Sequence, residues 1–131
     1  EKYGMRDRFN LTGWVTPADV LNEFSRSDIL FMPSLSEGLP VVGVDALVKG
    51  LAIVASRIGG FLDLVTPNEN GYLIEVKDEA AFSSALRDLL SNRERLVNFR
   101  RASLEKAKNF DIEKIVDQYE AIMKKTVIGE S

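Results

Sequence analysis

The chain contains no cysteine and no histidine. Without cysteine there are no disulfides and no thiolate metal sites, which fits a reducing compartment. Without histidine, Ser-His-Asp catalysis and His-ligated zinc are excluded. Any chemistry must run on carboxylates, hydroxyls, backbone dipoles, lysine and arginine. No apolar run is long enough to span a bilayer and no signal-peptide pattern is present, which points to a cytoplasmic protein. The net charge is only −3 and the basic residues are dispersed, so the electrostatic footprint of a nucleic-acid binder is missing. Internal repeats and low-complexity stretches are absent as well.

What is present is enough for a modest core: 131 residues, 45% of them hydrophobic, forming one domain or part of one. Strand and helix signals alternate. Glu1 to Arg8 reads as the tail of a helix and Phe9 to Thr12 as a short strand. Thr16-Pro17-Ala18-Asp19 is a helix start, with an N-cap hydroxyl, proline at the first helical position and an acid at the third. Val20, Leu21 and Phe24 supply the buried stripe of that helix. Asp28 to Met32 and Leu51 to Ala55 are short apolar runs suited to strands covered on both faces, which favours a parallel sheet. Pro67 to Gly71 is a turn and Tyr72 to Ile74 a brief edge strand. Beyond Asp78, an N-cap, everything reads as helix. Phe82, Ala85, Leu86, Leu89 and Leu90 recur at helix spacing, and a second helix runs from about Arg93 to Lys108. A third starts at Asp111 and buries Ile112, Ile115, Val116, Tyr119, Ile122 and Met123, with fraying expected from Val127.

The segment Pro33 to Leu47 is the most informative. It places Glu37 in a turn just past an apolar strand and Asp45 eight positions later, alone in an otherwise almost wholly apolar helix. Burying an unpaired carboxylate is costly, so that helix needs local donors or a ligand that supplies them. The turn lies at the carboxyl end of a strand, where open α/β sheets bind ligands. On this reading Glu37 and Asp45 face a polyhydroxylated ligand. The intervening helix N-terminus, with Gly38, Leu39, Val41 and Val42, faces an anion such as a diphosphate.

This segment, Pro33-Ser34 followed by Glu37-Gly38-Leu39-Pro40 and Asp45, resembles the donor-site motif of the retaining glycosyltransferases of the two-Rossmann, B-type fold. The nearest group is the one that includes sucrose and glycogen synthases and the sugar transferases of bacterial envelopes. The likeness runs the length of the chain. Phe9 to Gly13 resembles that family's V-x-F-x-G strand, Gly50 to Ser56 its G-x-P-V-V-A-S strand, and Gly59 to Asp63 its G-G-x-P-E turn. Asn70 to Ile74 resembles N-G-x-L-V, and Phe110-Asp111-Ile112 opens a helix much as F-S-x-E does. No single piece is specific, but the ordered set is.

The resemblance implies an α/β fold: a doubly wound parallel sheet of about four strands here, the Rossmann-like half of a B-type glycosyltransferase, with C-terminal helices. It implies that Glu37 holds hydroxyls of the donor sugar, as the catalytic residue, and that Asp45 holds ribose hydroxyls of the nucleotide. Gly38, Leu39, Val41 and Val42 complete the donor-binding set. Carboxylates suit this work because each oxygen accepts from a hydroxyl and two vicinal hydroxyls can share one carboxylate. Asp45 departs from the family's usual Glu, shortening the reach by about 1.5 Å. Either the ribose sits closer, a water bridges, or Asp45 caps local backbone. Trp14 is a further candidate as a wall for the nucleobase, against a reading as a partly buried core residue. Gly59 and Gly60 are candidates for close backbone approach, against a reading as a plain turn. Asp63 reads first as a helix cap, and Lys49 and Arg57 as solvated surface.

The expected activity is transfer of a sugar, with retention, from a nucleotide-diphosphate sugar to a sugar, lipid or polysaccharide acceptor. Catalysis would lie in positioning and in stabilising the leaving diphosphate. No cofactor and no metal is expected, and no nucleic-acid partner. The intact protein is expected in the cytoplasm, with room for a peripheral place at the inner face of the membrane. The family's main counter-charges, an Arg and a Lys from an earlier strand-helix unit, have no match here. Residues 1 to 131 are therefore expected to be a single partial donor domain, inactive alone, lacking its first strands and the whole acceptor domain. A non-catalytic nucleotide- or sugar-binding module of similar fold is the other reading. An epimerase-like domain is a third, against which the absence of histidine tells. A glycosidase would need two carboxylates at a mechanism-set separation, with no phosphate site between them.

Family strand order 3-2-1-4-5-6 would make Phe9 to Thr12 the third strand and Asp28 to Met32 the fourth, with the two strands between them absent. The expectation is that the Phe9 strand moves in beside the Asp28 to Met32 strand through a right-handed crossover. The alternatives are pairing with a second copy, or an exposed edge.

Overall fold

The structure, a computed structural model, describes residues 2–36, 41–110, 120–121 and 124. Its centre is a parallel sheet of β1 (Ile29–Met32), β2 (Ala52–Ser56) and β3 (Gly71–Ile74), in the order β1-β2-β3. Leu30 stands beside Ile53 in the first pairing, and Ala55 beside Leu73 in the second. Every residue of β2 is buried, as a middle strand covered on both faces requires.

Side chains alternate across this sheet and divide the core in two. Leu30, Ile53, Ala55 and Leu73 point into one layer with α2 (Val41–Val48) and the single turn α3 (Phe61–Leu64). Phe24 of α1 (Pro17–Ser25) packs against the same layer. Ala52 and Val54 point the other way, against Phe82, Ala85 and Leu89 of α4 (Glu79–Ser91) and Phe99 of α5 (Arg93–Ala107). Leu47, Leu51, Ile53, Phe61, Leu64 and Leu89 are fully enclosed. Each such side chain contributes about 1.5–3 kcal/mol relative to exposure.

Local sequence explains the boundaries. Thr16 and Asp19 form a reciprocal capping box on α1, with Pro17 in the first turn. The Thr16 backbone N–H donates to the Asp19 carboxylate at 2.9 Å, and this bond, with one from the Thr16 hydroxyl, lowers the Asp19 pKa. α2 stops where Gly50 takes a φ of +70°. Gly50 N–H then donates to Leu47 and Leu51 N–H to Ala46, the paired bonds that close a helix through a left-handed residue. A side chain at Gly50 would also run into Leu104, 3.0 Å from an added Cβ. At the start of β3, an added Cβ on Gly71 would lie 1.9 Å from the Ile53 carbonyl oxygen, so only glycine fits.

α5 ties down the amino ends of the strands. Ser103 Oγ donates to the Leu51 carbonyl at 2.7 Å, and Arg100 Nε to the Gly50 carbonyl at 2.8 Å. Arg100 Nη1 also reaches the Asp28 carboxylate at 2.7 Å, just before β1. Buried Asn70 accepts from Thr66 N–H and donates to the Leu64 carbonyl, fixing the turn that precedes β3. These bonds leave the opposite, carboxyl edge of the sheet free of α5. No helix among the described residues is long and apolar enough to cross a membrane.

Several expectations are corrected. Phe9 to Thr12 is not a strand; it is irregular, with Phe9 70% and Leu11 88% exposed, and it does not move in beside β1. The sheet therefore has three strands among the described residues rather than about four, and the outer edge of β1 carries no partner there. A strand exists through its ladder, and Phe9 to Thr12 pairs with no strand among the described residues. The expected N-terminal helix is only a 3-10 turn, Arg6–Arg8. Val20 and Leu21 are half-buried rather than buried, and Leu90, though in helical register, is 72% exposed. Asp63 lies inside α3, where Gly60 holds the N-cap position without a side-chain bond. The start of the helix expected from Asp111 and its buried stripe lie outside the described residues; Glu120, Ala121 and Lys124, which are described, are helical.

Candidate functional site

In a parallel sheet the strands' carboxyl ends share one edge, here the ends of β1, β2 and β3 at Met32, Ser56 and Ile74. The N-termini of α2, α3 and α4 follow from that edge. Most of the candidates come from these junctions. Glu37, Gly38 and Leu39 lie outside the described residues. Val41 and Val42 open α2 as its first two residues, Val41 half exposed at 52% and Val42 half-buried. N–H groups in the first turn of a helix have no intrahelical acceptors.

Asp45 sits in the second turn of α2, between buried Val44 and Ala46. It is itself half-buried, and burial raises its pKa. Its carboxylate finds no donor among the described residues. Among the described residues the capping alternative has no support; the Asp45 backbone carbonyl accepts from Lys49 N–H at 3.0 Å near the end of the helix. A half-buried acceptor without a protein donor is the condition under which a hydroxyl-bearing ligand gains most from binding.

After β2 the chain turns tightly, Ile58 N–H donating to the Ser56 carbonyl at 2.8 Å. Gly59 follows in the left-handed region with φ +51°, and Gly60 caps α3. Arg57 is less free than a solvated surface residue: its guanidinium pairs with Glu75 at 3.0 Å and donates to the Leu73 carbonyl. Lys49 is half-buried. Trp14 is fully exposed, so it is not a core residue, and it packs against none of the described candidates. The structure thus brings Val41, Val42, Asp45, Gly59 and Gly60 to junctions of one edge and leaves Trp14 apart.

Two features escaped the sequence reading. Ser56 is completely buried at the end of β2, and its hydroxyl has no partner among the described residues. A cleft of about 570 Å³ opens between the end of β1 and α4, lined by Phe31, Pro33, Leu35, Lys77, Phe82 and Leu86 among others. Phe31 closes one wall edge-on to Phe82, ring centroids 5.6 Å apart. The alternation of Phe31 against Leu30 along β1 was the available signal for that wall. A comparable cleft of about 600 Å³ lies at the amino edge, away from every candidate. There Lys106 donates to Thr66 and Lys108 to Glu105.

A parallel sheet with helices on both faces and its candidate residues at the carboxyl edge defines an α/β domain of the doubly wound class. Comparison with known proteins narrows the class. The family described as Glycosyl transferases group 1 matches residues 1–106. The chain belongs to that family. It is 30% identical over 94 residues to a D-inositol 3-phosphate glycosyltransferase of Corynebacterium efficiens, which covers 72% of this chain and 22% of that protein. Among solved structures, sucrose-phosphate synthase from Thermosynechococcus elongatus superposes with a TM-score of 0.81 at 22% identity, over 98% of this chain and 33% of that one. Anabaena HepE, solved in complex with UDP, gives 0.79 at 21% identity, over 94% and 34%. At such identities the structural likeness speaks for the fold alone. The chain spans about a third of the length of these solved chains and less of the curated relative.

Proposed function

We propose that this chain is the donor-binding part of a retaining glycosyltransferase and holds a nucleotide-diphosphate sugar along the carboxyl edge of its sheet. Asp45 accepts hydrogen bonds from ribose hydroxyls, and Glu37 from hydroxyls of the transferred sugar. The first N–H groups of α2, at Val41 and Val42, together with Gly38 and Leu39, receive the diphosphate at the positive end of the helix. Gly59 and Gly60 admit the ligand close to the backbone. No metal or cofactor takes part in this reading.

The observation that carries it is Asp45: a half-buried carboxylate on an apolar helix, with no donor of its own among the described residues. Family membership supplies the reaction class. HepE is solved with UDP and with UDP-glucose, which supports a nucleotide-sugar ligand. The acceptor, a sugar, lipid or polysaccharide, binds to a second domain of a longer protein. Residues 1 to 131 are one partial domain and do not turn over alone.

The test is calorimetric titration of the intact protein with UDP-, GDP- and ADP-sugars, followed by transfer assays with the donor that binds. Binding of one of these donors and transfer with retained anomeric configuration are expected. Donor binding without transfer to any acceptor would favour a non-catalytic module. Interconversion of the bound sugar without an acceptor would favour an epimerase.

A further inference from the structure

We draw no further inference here: the strongest candidate, the apolar groove between the outer edge of β1 and α4 that Phe31, Leu35, Phe82 and Leu86 line, carries nothing because nothing in the structure shows what covers it.

Discussion

Asp45 and Lys49 stand one helical turn apart on α2 and are joined through the backbone, yet their side chains do not pair. An acid followed by a lysine four residues on is the arrangement that usually makes a helical ion pair. Here burial raises the Asp45 pKa, with no compensating cation among the described residues. The helix carries an acid that its own fold does not use.

That acid should cost stability at neutral pH. A carboxyl whose folded pKa exceeds its unfolded value holds its proton more tightly when folded. The penalty is absent below the unfolded pKa, appears as pH rises through the folded pKa, and persists above it. Asp45→Asn should therefore raise the melting temperature at neutral pH and give no gain in acid. Because the side chain is only half-buried and solvent screens its charge, the gain should be about 0.5 kcal/mol or less. Thermal unfolding of both proteins across pH measures it; equal gains at both ends would mean that burial of the charge is not the cause.

Gly71→Ala should be far more damaging. The added methyl meets the Ile53 carbonyl oxygen, which belongs to the backbone of the central strand and cannot swing aside. A loss of about 3 kcal/mol or more is expected, enough to leave much of the chain unfolded. Denaturant titration against Gly13→Ala gives the comparison, because the space around Gly13 is open. Gly13 has a positive φ and Gly71 does not, so Gly13→Ala reports backbone strain without a clash and Gly71→Ala a clash without that strain.

The connection between α5 and the strands can be weighed at Ser103. Its hydroxyl is completely buried and donates to the Leu51 carbonyl. Ser103→Ala leaves that acceptor without this partner and should cost about 1–2 kcal/mol. An unchanged urea midpoint would mean that water reaches the Leu51 carbonyl instead.

The outer edge of β1 offers a further test. Its sequence, Ile-Leu-Phe-Met, carries no charge, and Phe31 is 43% exposed. Such an edge is a template for pairing with another chain. The 131-residue chain should self-associate with rising concentration, and Phe31→Lys should reduce this without lowering stability by more than about 1 kcal/mol. Light scattering and denaturant unfolding on the same samples check both halves.

These particulars show what the sequence could reveal. The strands near Ile29 and Ala52 were legible from four or five apolar residues between polar breaks, but only β2 is covered on both faces; Phe31 of β1 is 43% exposed. The starts of α1, α4 and α5 reflect local chemistry that travels with Thr16, Asp78 and Asn92, although only the first two were read as caps. Phe9 to Thr12 has the same look as those strands and failed, because strandness there needs a neighbour that propensity does not encode. Leu90 fits the helical period and is exposed because periodicity names a face, not what covers it. At the site, the isolation of Asp45 followed from its apolar neighbours, whereas the buried hydroxyl of Ser56 and the cleft beside Phe31 arise from packing between distant segments.

Loss of Glu37 should abolish sugar transfer while leaving nucleotide binding largely in place, because the sugar loses its orienting acceptor. Loss of Asp45 should act on binding instead. Asp45→Glu, which restores the longer acid, should retain donor binding. Steady-state kinetics of the three variants in the intact protein separate these roles; full transfer activity in Glu37→Ala would remove Glu37 from the site.

The most direct measurement is the dissociation constant of a nucleotide-diphosphate sugar for the intact protein and for Asp45→Ala, by calorimetry, with matched circular dichroism to confirm folding. Hydrogen bonds to a charged acceptor are worth about 1.5–3 kcal/mol, so the constant should rise about tenfold to a hundredfold in Asp45→Ala. An unchanged constant in a properly folded variant would contradict the account, because the unpaired acid on α2 would then have no ligand to hold.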